Sequence, residues 1–387
     1  MRKLKKLFEN PDFVGLLWIA IALVAGVSKL VSNTYRNFDV FTSVFHNAVQ
    51  GLCLYEFNPD TSLLHNHYGI VFSFIIAPFT LAPEWLGMVL WLVVSAGVLF
   101  WAVRSLPVES WKKVFVLWFC INELYTAVAN IQYNVLVAAF IVLAYVLVER
   151  KRDFWATLFI ALGTFTKIYG AGALVFFLFS KNKKRFIASF AFWCALLLVL
   201  PGVFYGFDYT IQCYRDWMTN LSLKSGQNMF SDYQNISLVG MVRKISGVAS
   251  YPDLWVIVPA LLLYLAPLVR FGQYQNRDFQ LSTLASTLMF VVLFSNGSES
   301  STYIIAFTGV ATWYISSPTR LTAKWLNIAL LVFVFVVSSL SPTDLFPTSL
   351  YRAYVLPYAL KALPVAVVWF KLVGEMMVCD YGAVRNS

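Results

Sequence analysis

A few polar side chains stand out against long apolar runs, and two of them are charged groups suited to catalysis. Asp39 lies at the beginning of an amphipathic repeat, where its carboxylate can act as a general base or can cap a helix. Lys167 follows a short apolar run, where its ammonium group can hold a phosphate or can extend to the membrane surface. These two side chains suggest proton abstraction near a bound anion.

The other candidates are hydrogen-bonding side chains, found mostly in connections between apolar runs. Gln132 and Asn134 can bind sugar hydroxyls, although Asn is also expected in a tight turn. Glu299 can do the same from a serine-rich turn, or can simply be solvated. Arg352 flanks the last apolar run, where its guanidinium can also extend to the interface. The remaining candidates are His67, Tyr68, Gln234, Asn235 and Tyr303.

The composition shows which environment must hold these side chains. Of the 387 residues, 59% are hydrophobic and only 12% are charged, whereas soluble domains have about 25% charged residues. So little charge cannot cover a soluble globule, which excludes a soluble enzyme, a disordered chain and a disulfide scaffold. The net charge of +10 comes from short basic clusters between apolar runs. This pattern is typical of a protein whose partners are membrane lipids, not nucleic acid.

Cysteine and histidine are too sparse to indicate a metal site. The five cysteines show no CxxC pair, and the three histidines lack metal-ligand spacing. We therefore expect neither a metal nor a cofactor. Cys53 and Cys213 both fall in predicted outer loops, so that a disulfide between them is possible.

The apolar pattern predicts an all-α integral membrane protein with about twelve transmembrane helices in a single domain, residues 1–387. With the N-terminus in the cytoplasm, the positive-inside rule places the basic clusters at 104–113, 149–152 and 181–185 inside. Both termini are then cytoplasmic. The predicted spans are 13–31, 84–103, 114–130, 134–148, 154–166, 169–180, 186–205, 254–270, 278–295, 300–316, 325–340 and 354–378.

The segment 68–82 is an exception, because its length of about 15 residues is short of the roughly 20 that a span needs. If it crossed the membrane, the next three basic clusters would face outward, so we predict a re-entrant helix. Two long outer loops result. The first, 32–83, contains an interfacial helix from Asp39 to Gly51 and the re-entrant helix, and the second is 206–253.

This topology places the polar candidates at the outer face of the membrane, although they come from separate connections. A lipid-facing protein surface has no need of such groups, and polar side chains at membrane depth usually mark function. Their convergence therefore predicts a cavity at the outer interface that handles a polar group attached to a lipid.

Several short motifs follow one another in an order that is found in a known family. They are Phe38-Asp39-Val40-Phe41, segment 51–55, Tyr68, segment 77–83, Ile131-Gln132-Tyr133-Asn134, Thr166-Lys167, segment 234–243 and segment 344–361. This series resembles glycosyltransferase family 87, integral-membrane enzymes of the C-type glycosyltransferase superfamily. Two departures stand out, because Gly69-Ile70 replaces a Pro-Pro pair after Tyr68 and Glu299 stands where many members have a histidine-rich pattern.

The resemblance implies an inverting membrane glycosyltransferase with Asp39 as the general base. Such an enzyme moves a sugar, by family default mannose, from a polyprenyl-phosphate donor to a membrane-borne lipid or glycolipid acceptor. Transfer takes place on the extracytoplasmic side of the cytoplasmic membrane. The groups implied for the donor phosphate and lipid are Lys167, His67, Tyr68 and Arg352. Those implied for the sugar or acceptor are Gln132, Asn134, Gln234, Asn235, Glu299 and Tyr303.

Two other functions are compatible with a chain of this kind. A multi-span lipid or solute transporter, or a flippase, should carry polar groups near the midplane and on both faces. An O-antigen polymerase or ligase should have a larger outer loop rich in arginine. The placement of the polar candidates at the outer face favours the transferase.

Overall fold

The computed structural model describes residues 6–56, 65–317 and 324–382, and within these ranges every regular element is a helix. The chain divides into two compact units, Met1–Leu223 and Lys224–Ser387. The all-helical architecture agrees with the fold class that the apolar pattern predicts.

The first unit is a bundle of helices that vary widely in length. Its α-helices are α1 (Pro11–Ser32), α2 (Arg36–Gln50), α3 (Phe72–Thr80), α4 (Glu84–Arg104), α5 (Ser110–Phe119), α6 (Ile121–Ala129), α7 (Asn134–Glu149), α8 (Asp153–Lys167), α9 (Lys183–Tyr205) and α10 (Phe207–Asn228), the last of which ends beyond the unit's boundary. A 3₁₀ helix, Tyr169–Phe179, connects α8 to α9.

The helix α7 is the most enclosed element of this unit. All of its residues except Leu147 and Glu149 are buried. It packs on α4, α8 and the 3₁₀ helix. A helix that is hydrophobic on every side must be surrounded by apolar material, and here neighbouring helices provide it.

The second unit mixes α-helices with shorter 3₁₀ and π segments. Its α-helices are α11 (Leu238–Ser246), α12 (Leu254–Leu265), α13 (Arg277–Leu293), α14 (Tyr303–Ser316), α15 (Lys324–Phe333), α16 (Thr348–Leu350) and α17 (Ala362–Val378). The 3₁₀ segments are Ala266–Val269, Phe271–Gln273 and Ser300–Thr302, and the π segments are Val334–Leu340 and Tyr351–Val355.

The pair α13 and α14 forms the buried centre of this unit, although both helices carry hydroxyl side chains. Thr283 and Thr287 on α13 donate to backbone carbonyls four residues earlier, at 3.0 and 2.8 Å. Thr308 and Thr312 on α14 do the same, at 2.8 and 2.7 Å. A buried hydroxyl without a partner would destabilise the core. Bonding back to the helix's own backbone satisfies these groups, and the Thr287 hydroxyl also lies 2.8 Å from the Tyr264 hydroxyl of α12.

Within the described parts of the chain, three helices are long and apolar enough to cross a membrane, α1, α4 and α9. Four shorter apolar segments accompany them, Asn134–Glu149, Tyr169–Phe179, Leu254–Val269 and Lys324–Leu340. These apolar helices indicate a membrane protein, while the count of about twelve spans stays a prediction.

Two predicted spans are interrupted in the structure. The span predicted at 114–130 consists of α5 and α6, which meet at Cys120. The span predicted at 354–378 is represented by the π segment Tyr351–Val355 and by α17, with Ala359 between them at a positive φ of 52°. A positive φ is unfavourable for a non-glycine residue and breaks a helix.

The predicted interfacial and re-entrant helices correspond to α2 and α3. The nine residues of α3 extend about 13 Å at 1.5 Å per residue, well short of the roughly 30 Å hydrocarbon core. Gly51 ends α2 in the left-handed conformation, as its position predicts. Asp39 is not the N-cap of this helix but lies in its first turn, because the cap position belongs to Tyr35. The capping interpretation of Asp39 is therefore wrong.

The predicted outer loop 206–253 contains two helices. The longer, α10, was not anticipated, because its sequence is mixed in polarity and gives no long apolar run. The shorter, α11, corresponds to the predicted amphipathic segment. Ser237 caps it, since the Ser237 hydroxyl accepts a hydrogen bond from the Gly240 N–H at 3.0 Å.

Arg243 on α11 binds the residues that connect this helix to α12. Its guanidinium, only 2% exposed, lies 2.6 Å from a carboxylate oxygen of Asp253. It also donates to the carbonyls of Tyr251 and Ala249 at 2.8 and 2.9 Å. The guanidinium lies over the Tyr251 ring, 4.3 Å from its centre. The charge is therefore used within the fold, as expected for a buried arginine.

Replacing Arg243 with methionine should lower the free energy of unfolding by about 3–5 kcal/mol, because Asp253 loses its cationic partner and the carbonyls lose their donor. Denaturant titration of the purified protein in detergent measures this change. The exposed Arg215 on α10 provides the matched control, and Arg215→Met should change the value by less than about 0.5 kcal/mol. Equal effects of the two substitutions would show that the Arg243 network does not stabilise the fold.

Candidate functional site

Lys167 lies at the end of α8 with its ammonium group between two aromatic rings. Its Nζ donates to the Asn134 side-chain oxygen at 2.6 Å. The centres of the Tyr68 and Tyr169 rings lie 5.8 and 5.4 Å from the same nitrogen. Aromatic faces attract a cation electrostatically, and the amide oxygen accepts its hydrogen bond. These contacts fix the Lys167 ammonium group at the junction of α8 with the 3₁₀ helix.

The backbone makes a sharp change of direction immediately after Lys167. Ile168 has φ 56° and ψ −33°, and its N–H bonds to the Thr164 carbonyl. A β-branched residue rarely adopts a positive φ, so this conformation costs energy that the surrounding packing must supply. The turn begins the 3₁₀ helix and brings Tyr169 beside the ammonium group of Lys167.

Asn134 and Gln132 join Lys167 from the turn that precedes α7. Asn134 is the first residue of α7, is fully buried, and donates through Nδ2 to the Gln132 side-chain oxygen at 3.3 Å. Thus one amide group contacts both the lysine and a second amide. The structure brings together the predicted residues Gln132, Asn134, Tyr68 and Lys167.

Tyr133 and Thr166 form a buried bond beneath this cluster. The two hydroxyls are 2.9 Å apart and join the beginning of α7 to the last turn of α8. The Tyr133 ring contacts the rings of Tyr68, Phe72 and Trp91. This aromatic packing fixes the distance between the two helix ends that carry Asn134 and Lys167.

The segment of His67 and Tyr68 is held from both sides. The His67 Nδ1 lies 2.7 Å from the Asn220 side-chain oxygen, which fixes the orientation of the ring. The indole of Trp217 donates to the His67 carbonyl at 3.0 Å, and the Tyr55 hydroxyl donates to the Tyr68 carbonyl at 3.1 Å. The side chains of His67 and Tyr68 are half-buried.

The departure from the family pattern at Gly69 has a steric reason. The Gly69 N–H bonds to the Thr166 carbonyl at 3.3 Å, so the two segments run very close together. A Cβ at this position would lie 2.2 Å from the Phe165 carbonyl oxygen. Only glycine permits this approach, which places Tyr68 next to Lys167.

Asp39 projects from the more exposed side of α2, beside other charged groups. Burial, a side-chain hydrogen bond to Glu84 and the negative charge of Glu84 raise the pKa of Asp39 to about 7, while the Arg36 guanidinium lowers it. Two adjacent carboxyl groups favour sharing one proton. Asp39 is therefore close to half-ionised at neutral pH, where a general base is most effective.

The helix α2 reaches the Lys167 cluster through its other side. The Asn37 amide donates to the Asn130 carbonyl at 2.8 Å, just before the turn that carries Gln132. The Phe41 ring packs edge-on against Tyr68, with centres 5.4 Å apart. The structure thus joins the helix of Asp39 to the cluster, whereas the contacts described for the Asp39 carboxylate are with Glu84 and Arg36.

The second unit holds its own group of predicted residues. The Gln234 amide donates to a Glu299 carboxylate oxygen at 2.9 Å, while the other Gln234 side-chain atom, Oε1, is buried without a hydrogen-bond partner. Lys244 donates to the Gln234 carbonyl at 3.2 Å. A carboxylate beside an amide oxygen gives two adjacent acceptors, an arrangement that suits a pair of hydroxyl groups.

Asn235 and Tyr303 support this group from within the fold. Asn235 is buried at φ 53°, and its Oδ1 accepts from the Ser237 hydroxyl at 2.8 Å. The Tyr303 hydroxyl donates to the Ile236 carbonyl at 3.1 Å. Both side chains are used in positioning the segment that carries Gln234. The exposed Arg352, in the π segment Tyr351–Val355, lies on the surface of its unit.

Lys361 could be expected to extend to the membrane surface, but it is only 4% exposed. It donates to the Ser300 hydroxyl at 2.8 Å and lies 4.6 Å from the centre of the Tyr303 ring. The break in the helix at Ala359 turns it inward. No sequence pattern reveals this break.

Sequence reasoning also missed Glu84, Tyr169 and Asn220. Glu84 follows Pro83 at the start of a span, which is an ordinary position for an acid in a first helical turn. Tyr169 follows Lys167 closely and Asn220 lies on the unanticipated helix α10. Among the residues that the structure describes, no group of three His, Cys, Asp or Glu side chains could hold a metal ion.

Comparison with known families gives one match. The model of glycosyltransferase family 87 matches residues 66–295, which is more than half of the chain. The matched range contains the Lys167 cluster and Gln234, and it leaves out Asp39 and Glu299. Comparisons with curated proteins and with solved structures give no match.

Substituting Lys167 with methionine should weaken the binding of a lipid phosphate by about 10- to 100-fold, because a hydrogen bond to a charged group contributes about 1.5–3 kcal/mol. Binding of a radiolabelled polyprenyl phosphate to the protein in nanodiscs measures the change. Lys151→Met, at an exposed lysine, is the matched control. Unchanged affinity in Lys167→Met would exclude this lysine from the anion site.

Proposed function

The chain belongs to glycosyltransferase family 87, and on this basis we propose that it transfers a sugar from a polyprenyl-phosphate donor to a membrane-borne lipid or glycolipid acceptor. The family establishes glycosyltransferase activity. The observation that carries the choice of donor is the Lys167 ammonium between Tyr68, Tyr169 and Asn134, inside the matched range. The family match gives the transporter alternative no support.

Lys167 is proposed to bind the phosphate of the donor lipid. When the bond between the anomeric carbon and the phosphate oxygen breaks, negative charge grows on that oxygen. A cation already held in position stabilises this charge without reorganisation. His67 and Tyr68, which are adjacent in the chain, are proposed to contact the donor phosphate or its lipid. Arg352 is proposed as a further contact of the donor lipid.

Asp39 is proposed as the general base. It takes the proton from an acceptor hydroxyl while that oxygen attacks the anomeric carbon on the face opposite the phosphate. The phosphate leaves with the bonding electrons, so the configuration at the anomeric carbon inverts. The raised pKa of Asp39 suits this role, because a base near pKa 7 is both ionised and able to accept a proton at neutral pH.

The amide and acid side chains are proposed to bind the sugar or the acceptor. Gln234 and Glu299 offer adjacent oxygen acceptors to hydroxyl groups, with Asn235 and Tyr303 positioning their segment. Gln132 and Asn134 lie beside the proposed phosphate site and suit the hydroxyls nearest the anomeric carbon. Mannose is the sugar we propose.

The location proposed for the reaction is the extracytoplasmic side of the cytoplasmic membrane. The basic clusters of the sequence support cytoplasmic termini. The nine-residue length of α3 supports its assignment as a re-entrant helix, and with it an outward-facing first loop. The apolar helices support a multi-pass protein.

Changing Asp39 to asparagine should reduce the transfer rate at least about 100-fold, because general base catalysis contributes about 10²- to 10⁴-fold. The assay follows a radiolabelled polyprenyl-phosphate sugar into lipid products in membranes. Asp208→Asn, at an exposed acid on α10, should retain full activity. Wild-type turnover by folded Asp39→Asn protein would remove Asp39 from the mechanism.

The transfer rate should fall as the pH drops through about 7, because only the ionised Asp39 carboxylate can accept a proton. Glu84→Gln should move the midpoint to lower pH, since it removes the negative charge and the carboxyl contact that raise the pKa of Asp39. Glu56→Gln, at an exposed acid, should leave the midpoint unchanged. A midpoint that stays in place or rises in Glu84→Gln would contradict the carboxyl pair.

A further inference from the structure

One face of α10 contacts the residues that directly follow α2 and the residue before Tyr68. Tyr209, Cys213 and Trp217 follow at four-residue intervals and therefore share this face. The Tyr209 hydroxyl donates to the Leu52 carbonyl at 2.7 Å, and the Trp217 indole donates to the His67 carbonyl at 3.0 Å. Cys213 thus lies on this face between Tyr209, which is bound to Leu52, and Trp217, which is bound to His67.

Cys53 lies next to one of these bonded residues in the chain. It follows Leu52, whose carbonyl is bound to Tyr209, and its own carbonyl accepts from the Asn47 amide at 3.5 Å. The thiols of Cys53 and Cys213 are close enough to interact electrostatically, and the buried Tyr55 interacts with both. Cys213 is 3% exposed, while Cys53 is half-buried.

We propose that Cys53 and Cys213 are joined by a disulfide in the membrane-inserted protein, as a latch between the first outer segment and α10. The proposal rests on the extracytoplasmic placement of this loop, because disulfides persist in oxidising compartments. Both residues stand outside the three long apolar helices. The proposed disulfide does not involve the other three cysteines of the chain, which are Cys120, Cys194 and Cys379.

The oxidation needs an external oxidant that contains a disulfide. The different exposure of the two thiols determines which of them reacts first. The Cys53 thiolate attacks the oxidant disulfide, which forms a mixed disulfide and releases one oxidant thiol. The Cys213 thiolate then attacks the Cys53 sulfur, which forms the internal disulfide and releases the second oxidant thiol. Two electrons and two protons pass from the cysteines to the oxidant. Cys53 is the thiol that reacts first, because it is half-buried whereas Cys213 is buried, and burial raises the pKa of the Cys213 thiol to about 11.

The latch would hold the backbone on which the proposed phosphate site depends. Tyr55, two residues after Cys53, donates its hydroxyl to the Tyr68 carbonyl at 3.1 Å. Fixing Cys53 to α10 therefore limits how far Tyr68 and His67 can move from Lys167. We therefore expect donor binding to weaken when the disulfide is absent.

Differential alkylation with mass spectrometry tests the latch directly. Membranes from expressing cells are denatured without reductant in light iodoacetamide, then reduced and treated with the heavy reagent. Cys53 and Cys213 should carry the heavy label, and in Cys53→Ser the remaining Cys213 should carry the light one. Cys194 should stay light throughout and Cys194→Ser is the matched control. Light label at both Cys53 and Cys213 in the wild type would overturn the proposal.

Thermal unfolding provides a second measurement that does not involve glycosyl transfer. Reductant should lower the unfolding temperature of the wild type by about 5–15 °C, because it removes a cross-link from the unfolded chain. It should leave Cys53→Ser and Cys213→Ser unchanged. An equal effect of reductant on the wild type and on both variants would contradict the latch. Neither readout depends on the donor, so a failed transfer assay and a failed latch are distinguishable.

Discussion

The placement of the Lys167 ammonium group at the end of a short helix is the constraint on which the first unit depends. The Tyr68 and Tyr169 rings and the Asn134 side-chain oxygen contact this group. Holding it there requires α8 to stop after 15 residues, the backbone to turn at Ile168, and α7 to begin at Asn134. The Gly69 contact and the Tyr133–Thr166 bond follow from bringing those ends together.

The charged side chains of this protein fall into two kinds according to their partners. Arg243 is paired with Asp253 and with carbonyls, so its charge is consumed by the fold. The described contacts of Lys167 are with an amide and aromatic rings, and those of Asp39 include a second carboxyl group. The neighbouring carboxyl group raises the pKa of Asp39, so that Asp39 can exchange a proton near neutral pH. The described partners therefore distinguish Asp39 from the buried pair of Arg243 and Asp253.

Long apolar helices were predictable from the sequence, and broken or mixed ones were not. The predicted spans 13–31, 84–103 and 186–205 correspond to α1, α4 and α9, because unbroken apolar runs leave the chain no other way to satisfy its backbone. The breaks at Cys120 and Ala359 and the mixed helix α10 depend on tertiary contacts. The same limit explains the candidate site. Lys167 and Asp39 stand out by type, whereas Glu84 and Lys361 gain meaning only from neighbours distant in sequence.

The enclosure of α7 has a consequence for how the protein is made. Its apolar sequence allows it to enter the lipid bilayer as soon as it is synthesised. Two of the elements that cover it, α8 and the 3₁₀ helix, come later in the chain. During synthesis α7 must therefore first face lipid and then exchange that lipid for protein as its successors arrive. Asn134 at its tip meets Lys167 only after this exchange, so the proposed phosphate site cannot form before α8 has been synthesised.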